Sequence, residues 1–276
     1  LEKDLMKSLQ LKVLSVVASA LTVLGAVAAP QATAAERNLV AFGDSVLADP
    51  DAGSYFAHRY DRSKGVGVDC PTSNNYAKRA GAKLRLPVRD FSCSGAVSMS
   101  PGPQIFQQVD AALRTGALTP ATNRVVITTG FNDTYNHRDL NLPQIRKQFV
   151  DHTAPQIERI KRAAPNARIQ IVGYPTIGSG PYYCLFHFGP RPADSTFLPS
   201  IQDFENKAQW MQVDLAARTG VQFLDMKPST RNNGMCADAN QRMWAGLVDF
   251  TAGDGNLPLH MNQRGHEHAA NVIARS

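Results

Sequence analysis

The chain lacks several features that would assign it to a class at once. No Cys-x-x-Cys pair occurs among its four cysteines, which argues against a thioredoxin-like redox site or a zinc ribbon. No Gly-x-Ser-x-Gly occurs either, which argues against the sharp nucleophile turn of the α/β-hydrolases. Charge is sparse. Charged residues make up 19% of the 276 residues against 43% apolar, a balance that excludes a disordered tail and fits a globular protein with a real core. The formal net charge is +6, yet no zinc-finger spacing and no basic stripe interleaved with aromatics accompanies it. Basic residues are scattered, as in Lys78, Arg79, Lys83, Arg85 and Arg89, or Arg159, Lys161, Arg162 and Arg168. They alternate with Ala, Leu, Ile or Pro, as solvated helix faces do. No nucleic-acid partner is expected, and the excess charge suits an anionic envelope or lipid surface.

Only one long apolar run exists, and it lies at the start. Lys3, Lys7 and Lys12 precede residues 13–30, a nearly uncharged stretch rich in Val, Leu and Ala. Ala32-Thr33-Ala34-Ala35 then supplies small residues at the spacing a signal peptidase accepts. A basic region, an apolar region and such an exit together read as a secretory signal. The run of about 18 residues is marginal for a membrane span, and the small-residue exit favours cleavage after Ala34 or Ala35. Met6 reads as a natural start, with residues 1–5 outside it. The chain therefore divides into a signal peptide, 1–35, and one domain, 36–276, secreted to the outside or held in the cell envelope. With the leader removed, the net charge is about +5.

Cys70, Cys93, Cys184 and Cys236 all remain in that domain. An even count in an exported chain implies two disulfides. Three connectivities are open. Sequential pairing, Cys70 with Cys93 and Cys184 with Cys236, closes the shortest loops and is preferred.

Hydropathy patterning predicts strands at 38–42, 88–91, 124–128, 167–173 and 221–226. Helical spacing is found at 75–86, where Tyr76, Ala80 and Leu84 share a face, and at 105–113, 201–219 and 263–275. Residues 142–163 are helical in composition, with Pro155 expected to kink or divide them. Two long irregular segments, 174–199 and 227–259, lack periodicity. Strands alternating with helices imply a parallel sheet covered on both faces, without linker, repeat or second domain. In such sheets ligands bind beyond the carboxyl ends of the strands.

The chemistry-bearing residues fall at those ends. Gly43-Asp44-Ser45 follows the first strand, where glycine permits a turn that exposes the serine hydroxyl. Asn132, in Gly130-Phe131-Asn132-Asp133, follows the third and can aim its amide into a cleft. Asn132-Asp133-Thr134 also spells a glycosylation sequon, discounted because a buried strand end precedes it. His260, His266 and His268 lie near the C-terminus. His266 and His268 sit two apart in a predicted helix and face different sides, and no acid or cysteine stands at ligand spacing. No metal and no cofactor is expected, and His260 reads as a base.

Taken in order, Gly43-Asp44-Ser45-Val46, Gly95, Gly130-Phe131-Asn132-Asp133 and His260 resemble the four blocks of the SGNH (GDSL-type) hydrolase family. Cys70-Pro71-Thr72-Ser73-Asn74-Asn75-Tyr76 and Cys93-Ser94-Gly95-Ala96 resemble its secreted bacterial esterase and lipase branch. The resemblance spans 38–276. It implies the α/β class, as a three-layer α/β/α sandwich on a central, mainly parallel five-stranded sheet. It makes Ser45 the nucleophile and His260 the base and then the acid. It builds an oxyanion hole from the backbone N–H groups of Ser45 and Gly95 and the side-chain amide of Asn132. Ester chemistry asks for the same parts: an activated hydroxyl and preorganised donors. Asp44, Asp133 and His266 are expected to be structural.

Two departures stand out. Val46 replaces the usual leucine. More seriously, the family's aspartate three residues before the histidine is here Leu257, and Met261 replaces a proline. The favoured partner for the imidazole is the main-chain carbonyl of Leu257, with Asp254 or Asp249 as alternatives. The expected activity is cleavage of carboxylic esters, of lipids or other acyl esters, by a monomer. The apolar stretch 181–188 is a candidate acyl-chain wall. An acyltransferase or deacetylase working on envelope glycolipid or polysaccharide is the alternative, and a non-catalytic envelope-binding protein is disfavoured by the intact Ser45, Asn132 and His260 set.

Overall fold

Apolar residues alternate along the inner strands between two separate cores, and that alternation defines the architecture. The computed structural model describes residues 36–60, 69–253 and 257–276; the signal-peptide reading of 1–35 and the carboxylate of Asp254 lie outside the described residues. In chain order the main elements are β1 (Leu39–Gly43), α1 (Ser45–Ala48), α2 (Ala52–Tyr60), α3 (Tyr76–Leu84), β2 (Val88–Asp90), α4 (Ile105–Arg114), β3 (Arg124–Thr128), α5 (Phe131–Asn136), α6 (Leu142–Ala163), β4 (Arg168–Val172), α7 (Pro199–Thr219), β5 (Gln222–Leu224), α8 (Lys227–Thr230) and α9 (Gln263–Arg275). The five strands form one sheet in the order β2-β1-β3-β4-β5, and every neighbouring pair is parallel.

Leu39, Ala41, Val126 and Val172 face one core, together with Tyr76 and Ala80 of α3 and Ala270 and Ile273 of α9. Val40, Phe42, Val125, Ile127 and Ile171 face the other, together with Val109 of α4, Phe149 and Ile157 of α6 and Leu215 of α7. A sheet buried on both faces needs apolar residues at every position, which is why these strands read as continuous runs. The result is the three-layer α/β/α sandwich on a five-stranded sheet, parallel throughout.

Local chemistry sets the helix ends. Asn75 caps α3, its side chain accepting from Ala77 and Lys78 N–H, and Asn141 with Gln144 forms a capping box on α6. Pro155 does not divide α6. It lies on the exposed face, as does Asp151 four residues earlier, whose carbonyl loses its helical partner. Water can satisfy that carbonyl, so the helix continues.

The two irregular segments are pinned rather than free-standing. Tyr182–Tyr183 pairs antiparallel with Thr196–Phe197, and Phe186–His187 pairs parallel with Val248–Asp249. Cys184–Cys236 joins the same two segments, and Cys70–Cys93 ties the stretch after α2 to the turn after β2. Sequential pairing is therefore the connectivity adopted. Four short helices, α1, α2, α5 and α8, escaped the periodicity argument; three of them span six residues or fewer, less than two turns.

Candidate active site

The site is assembled where β1 and β3 end. Gly43 closes β1 so tightly against β3 that a β-carbon there would lie 2.6 Å from the Thr128 carbonyl oxygen. Its backbone is gripped on both sides by Gln108, whose Oε1 accepts from Gly43 N–H at 2.8 Å and whose Nε2 donates to Gly43 C=O at 2.9 Å. Asp44 then caps α1, accepting from Val46 N–H at 2.9 Å. Ser45 is the first residue of that helix, where backbone N–H groups have no intrahelical partner.

Asp44 is buried and accepts a short hydrogen bond from the Tyr174 hydroxyl, which in turn accepts from Phe131 N–H at 3.1 Å. Burial pushes its carboxyl up to about 7, against the lowering effect of the Tyr174 and Val46 hydrogen bonds. Its contacts are those of a brace between the serine turn and α5.

Gly95 stands in the turn after β2 with φ of +82°, a conformation that favours glycine. The loop beyond it is moored by Asp133, whose carboxylate accepts from the N–H groups of Ser98, Met99 and Ser100 at 2.9–3.1 Å and from the Ser100 hydroxyl at 2.7 Å. Asn132 is held at both ends of its amide. Nδ2 donates to the Ala96 carbonyl at 2.8 Å and Oδ1 accepts from the Tyr135 hydroxyl at 3.0 Å. One amide hydrogen satisfies Ala96, and the residue lines the cleft described below. Asn132 is 8% exposed and Thr134 fully buried, an environment closed to the bulky glycan of the sequon.

His260 completes the set. Its Nε2 is 2.8 Å from Ser45 Oγ, and its Nδ1 is 2.8 Å from the carbonyl oxygen of Pro258. A carbonyl only accepts, so Nδ1 carries the proton and Nε2 is the lone-pair nitrogen facing the serine. The carbonyl is that of Pro258 rather than Leu257. Leu259 adopts a left-handed conformation, φ +63°, which folds the chain back so that the carbonyl two residues before the ring, not three, meets it. That conformation costs a non-glycine residue about 1 kcal/mol. It is held by Trp244 Nε1 donating to Leu259 C=O at 2.8 Å, and by backbone bonds from Leu259 N–H to Gly246 C=O and from Ala245 N–H to His260 C=O. Leu257 instead lines the cleft.

Asp249 is not the missing acid. Both its oxygens lie 2.8 Å from one nitrogen of the fully buried Arg242, and it also accepts from Gly246 and Thr251. His266 is packed under α3, and His268 contacts the Ser229 hydroxyl at 2.8 Å. Among the described residues no group of three or more His, Cys, Asp or Glu side chains is arranged to hold a metal ion.

Ser45, Gly95, Asn132 and His260 share one cleft of about 630 Å³. Its walls are mainly apolar and include Phe56, Tyr135, Ile177, Tyr183, Leu185 and Trp244. The stretch 181–188 contributes Tyr183 and Leu185 to that wall, whereas Tyr182 and Phe188 are exposed. Desolvation lowers the His260 pKa below the usual imidazole value, while the Pro258 carbonyl and the Asp49 charge oppose the shift. The ring keeps an accessible edge on the cleft, which tempers that penalty.

Comparison with known proteins agrees with this geometry. Phospholipase A1 from Streptomyces albidoflavus superposes with a TM-score of 0.56 at 20% identity, over 87% of this chain and 99% of that one. The lipase/acylhydrolase from Enterococcus faecalis superposes with a TM-score of 0.50 at 15% identity, over 87% and 94%. At such identities these likenesses establish the fold. Among curated proteins no sequence matches the chain. The family model of the GDSL-like lipases and acylhydrolases matches residues 41–268, from the strand before Ser45 to the helix after His260. The chain thus belongs to the GDSL-like lipase/acylhydrolase family and is a carboxylic ester hydrolase.

Proposed function

We propose that the protein is an exported serine esterase whose acyl-enzyme forms on Ser45. The observation that carries this reading is the 2.8 Å contact between Ser45 Oγ and His260 Nε2, in the tautomer imposed by the Pro258 carbonyl. Ser45 Oγ attacks the ester carbonyl carbon as its proton passes to His260 Nε2. The oxyanion so formed is met by the N–H groups of Ser45 and Gly95 and by the free amide hydrogen of Asn132. Collapse breaks the bond to the leaving oxygen, which takes the proton from His260. Water repeats the sequence in reverse and restores Ser45. Labelling of folded protein with a fluorophosphonate, read by mass spectrometry, is expected to place one adduct on Ser45; an unlabelled serine would remove the basis of the proposal.

The substrate is read from the cleft. Its apolar wall favours acyl chains over acetyl groups. Phe56, Leu247 and Leu259 line it while remaining 52%, 47% and 39% exposed, and Phe188 packs on the exposed Phe250 nearby. An exposed apolar rim around a catalytic cleft suits an ester presented by an envelope or other lipid surface. In a nitrophenyl ester series, kcat/KM is expected to rise from acetate to an optimum at eight carbons or more. A sharp optimum at acetate would overturn the lipid-ester reading and point to a deacetylase. Export is supported by the secretory signal read in 1–35 and by the two disulfides.

The pH profile tests the base. His260 must be neutral to take the serine proton, and burial holds its pKa below the ordinary value of about 6.5. The acid limb of kcat/KM is therefore expected below about pH 6.5, with activity lost as the ring protonates. A profile flat through pH 4 contradicts the assignment.

A further inference from the structure

The dyad leaves one question open: what stabilises the His260 imidazolium when no acid among the described residues bonds the ring. Among the described residues, His260 bonds Ser45 and a neutral carbonyl. One helical turn beyond the nucleophile, however, stands a buried carboxylate outside the dyad. Asp49 caps the C-terminus of α1, with its N–H on the Ser45 carbonyl at 2.9 Å and its side chain fully buried. Its Oδ2 accepts from the Ser73 hydroxyl at 3.2 Å and lies 2.9 Å from His266 Nε2, as a close polar contact rather than an aligned hydrogen bond. Its Oδ1 is buried and has no hydrogen-bond partner.

The state of His266 follows from its other nitrogen. Nδ1 faces the backbone N–H of Tyr76 at 3.2 Å, and a nitrogen that accepts cannot also hold a proton. His266 is therefore the neutral Nε2–H tautomer, stacked on Tyr76 and fully buried. A neutral histidine leaves the carboxylate beside it uncompensated. The pair joins the end of α1 to α9, the helix that follows His260.

We infer that Asp49 is a positioning residue that acts on His260 through space: kept in place by His266 and Ser73, it stabilises the imidazolium that forms when His260 takes the serine proton. Buried charges act over such distances because water does not screen them. Among the described residues, Ser45 at the start of α1, Asp49 at its C-cap, Pro258 from the ring's own loop and His266 from α9 bear on His260; Asp49 favours the protonated ring, and His266 would oppose it only with protons on both nitrogens, which its Nδ1 contact with Tyr76 N–H excludes. Asp44 titrates in a neighbouring range, near 7, but it faces Tyr174 and Val46 and is common to all the variants below.

This inference rests on the proposed role of His260, and the test separates the two. Asp49→Asn removes the charge without changing shape. Asn tolerates the left-handed φ of +43° at this position, and Asp49→Gly tolerates it better still. With a soluble nitrophenyl ester, each variant is expected to lose about tenfold in kcat. Each is also expected to move the acid limb of kcat/KM to lower pH, because an imidazolium without its counter-charge protonates less readily. Loss of a purely structural contact would lower the plateau and leave the limb where it is. Asp49→Glu, which restores a carboxylate, is expected to return the limb toward the wild-type position. An unmoved limb in a folded Asn or Gly variant overturns the inference, and so does failure of both variants to fold, since Asp49 would then be a structural residue. If instead the wild-type protein shows no acid limb and no fluorophosphonate adduct, it is the Ser45–His260 reading that fails.

Discussion

Ser45→Ala is expected to lower kcat/KM by roughly 10⁴- to 10⁶-fold while leaving the fold intact. The hydroxyl makes one hydrogen bond, to His260 Nε2, and its side chain is half-buried at the head of a short helix whose cap is Asp44 rather than Ser45. Removing it leaves no buried polar group without water, so the melting temperature should move little. His260→Ala is expected to cost about as much, because a serine hydroxyl without a base is a poor nucleophile. The double variant should be no worse than either single one, since the two groups act as a unit. Activity toward a nitrophenyl ester, measured on protein with an unchanged circular dichroism melt, checks all three. Retention of more than about 1% of wild-type kcat/KM by Ser45→Ala would move the chemistry to another residue.

Asn132→Ala is expected to lower kcat by roughly 10²- to 10³-fold with little change in KM, the pattern of a donor used mainly in the transition state. Its amide is unusually well fixed. The Ala96 carbonyl takes one hydrogen at 2.8 Å and the Tyr135 hydroxyl holds the oxygen at 3.0 Å, so the remaining hydrogen needs no reorientation when the oxyanion forms. Preorganisation of this kind is what makes such donors effective. The Ala96 carbonyl loses its partner in the variant, so a stability change of about 1 kcal/mol should accompany the kinetic loss. A rise in KM with unchanged kcat would assign Asn132 to ground-state binding instead.

Much of this is legible in the amino-acid sequence. The runs 124–128 and 263–275 coincide with β3 and α9, because a strand buried on both faces and an amphipathic helix each leave a strong periodic signal. Ser45 and Asn132 are identifiable because each sits just beyond a hydrophobic run, and His260 because it sits just before a predicted helix. The partner of His260 is the Pro258 carbonyl where the sequence favours that of Leu257, because it depends on the left-handed turn at Leu259, a position that carries no glycine to announce it. Asp249 was equally hard to exclude. Its commitment to Arg242 depends on the fold of a 33-residue segment, 227–259, whose two-residue ladder to Phe186–His187 is too short to leave any pattern. The Asp49–His266 pair joins residues more than two hundred positions apart, which no local rule connects.

The two halves of the chemistry also rest on unequal foundations. Ser45 and Asn132 leave directly from β1 and β3, the two adjacent central strands, so their separation is fixed by five consecutive rungs of one ladder. His260 arrives on a segment outside the sheet, clamped by the isolated Trp244–Met261 bridge and a few neighbouring bonds. Local opening free energies follow such differences. On warming, the histidine segment is set to fray while the sheet is still cooperative, so catalytic death should precede the calorimetric transition. Amides at 259–261 should exchange with deuterium well before those of 124–128, and the gap between the two clocks measures how much of the enzyme's working temperature range is set by a few bonds around one turn.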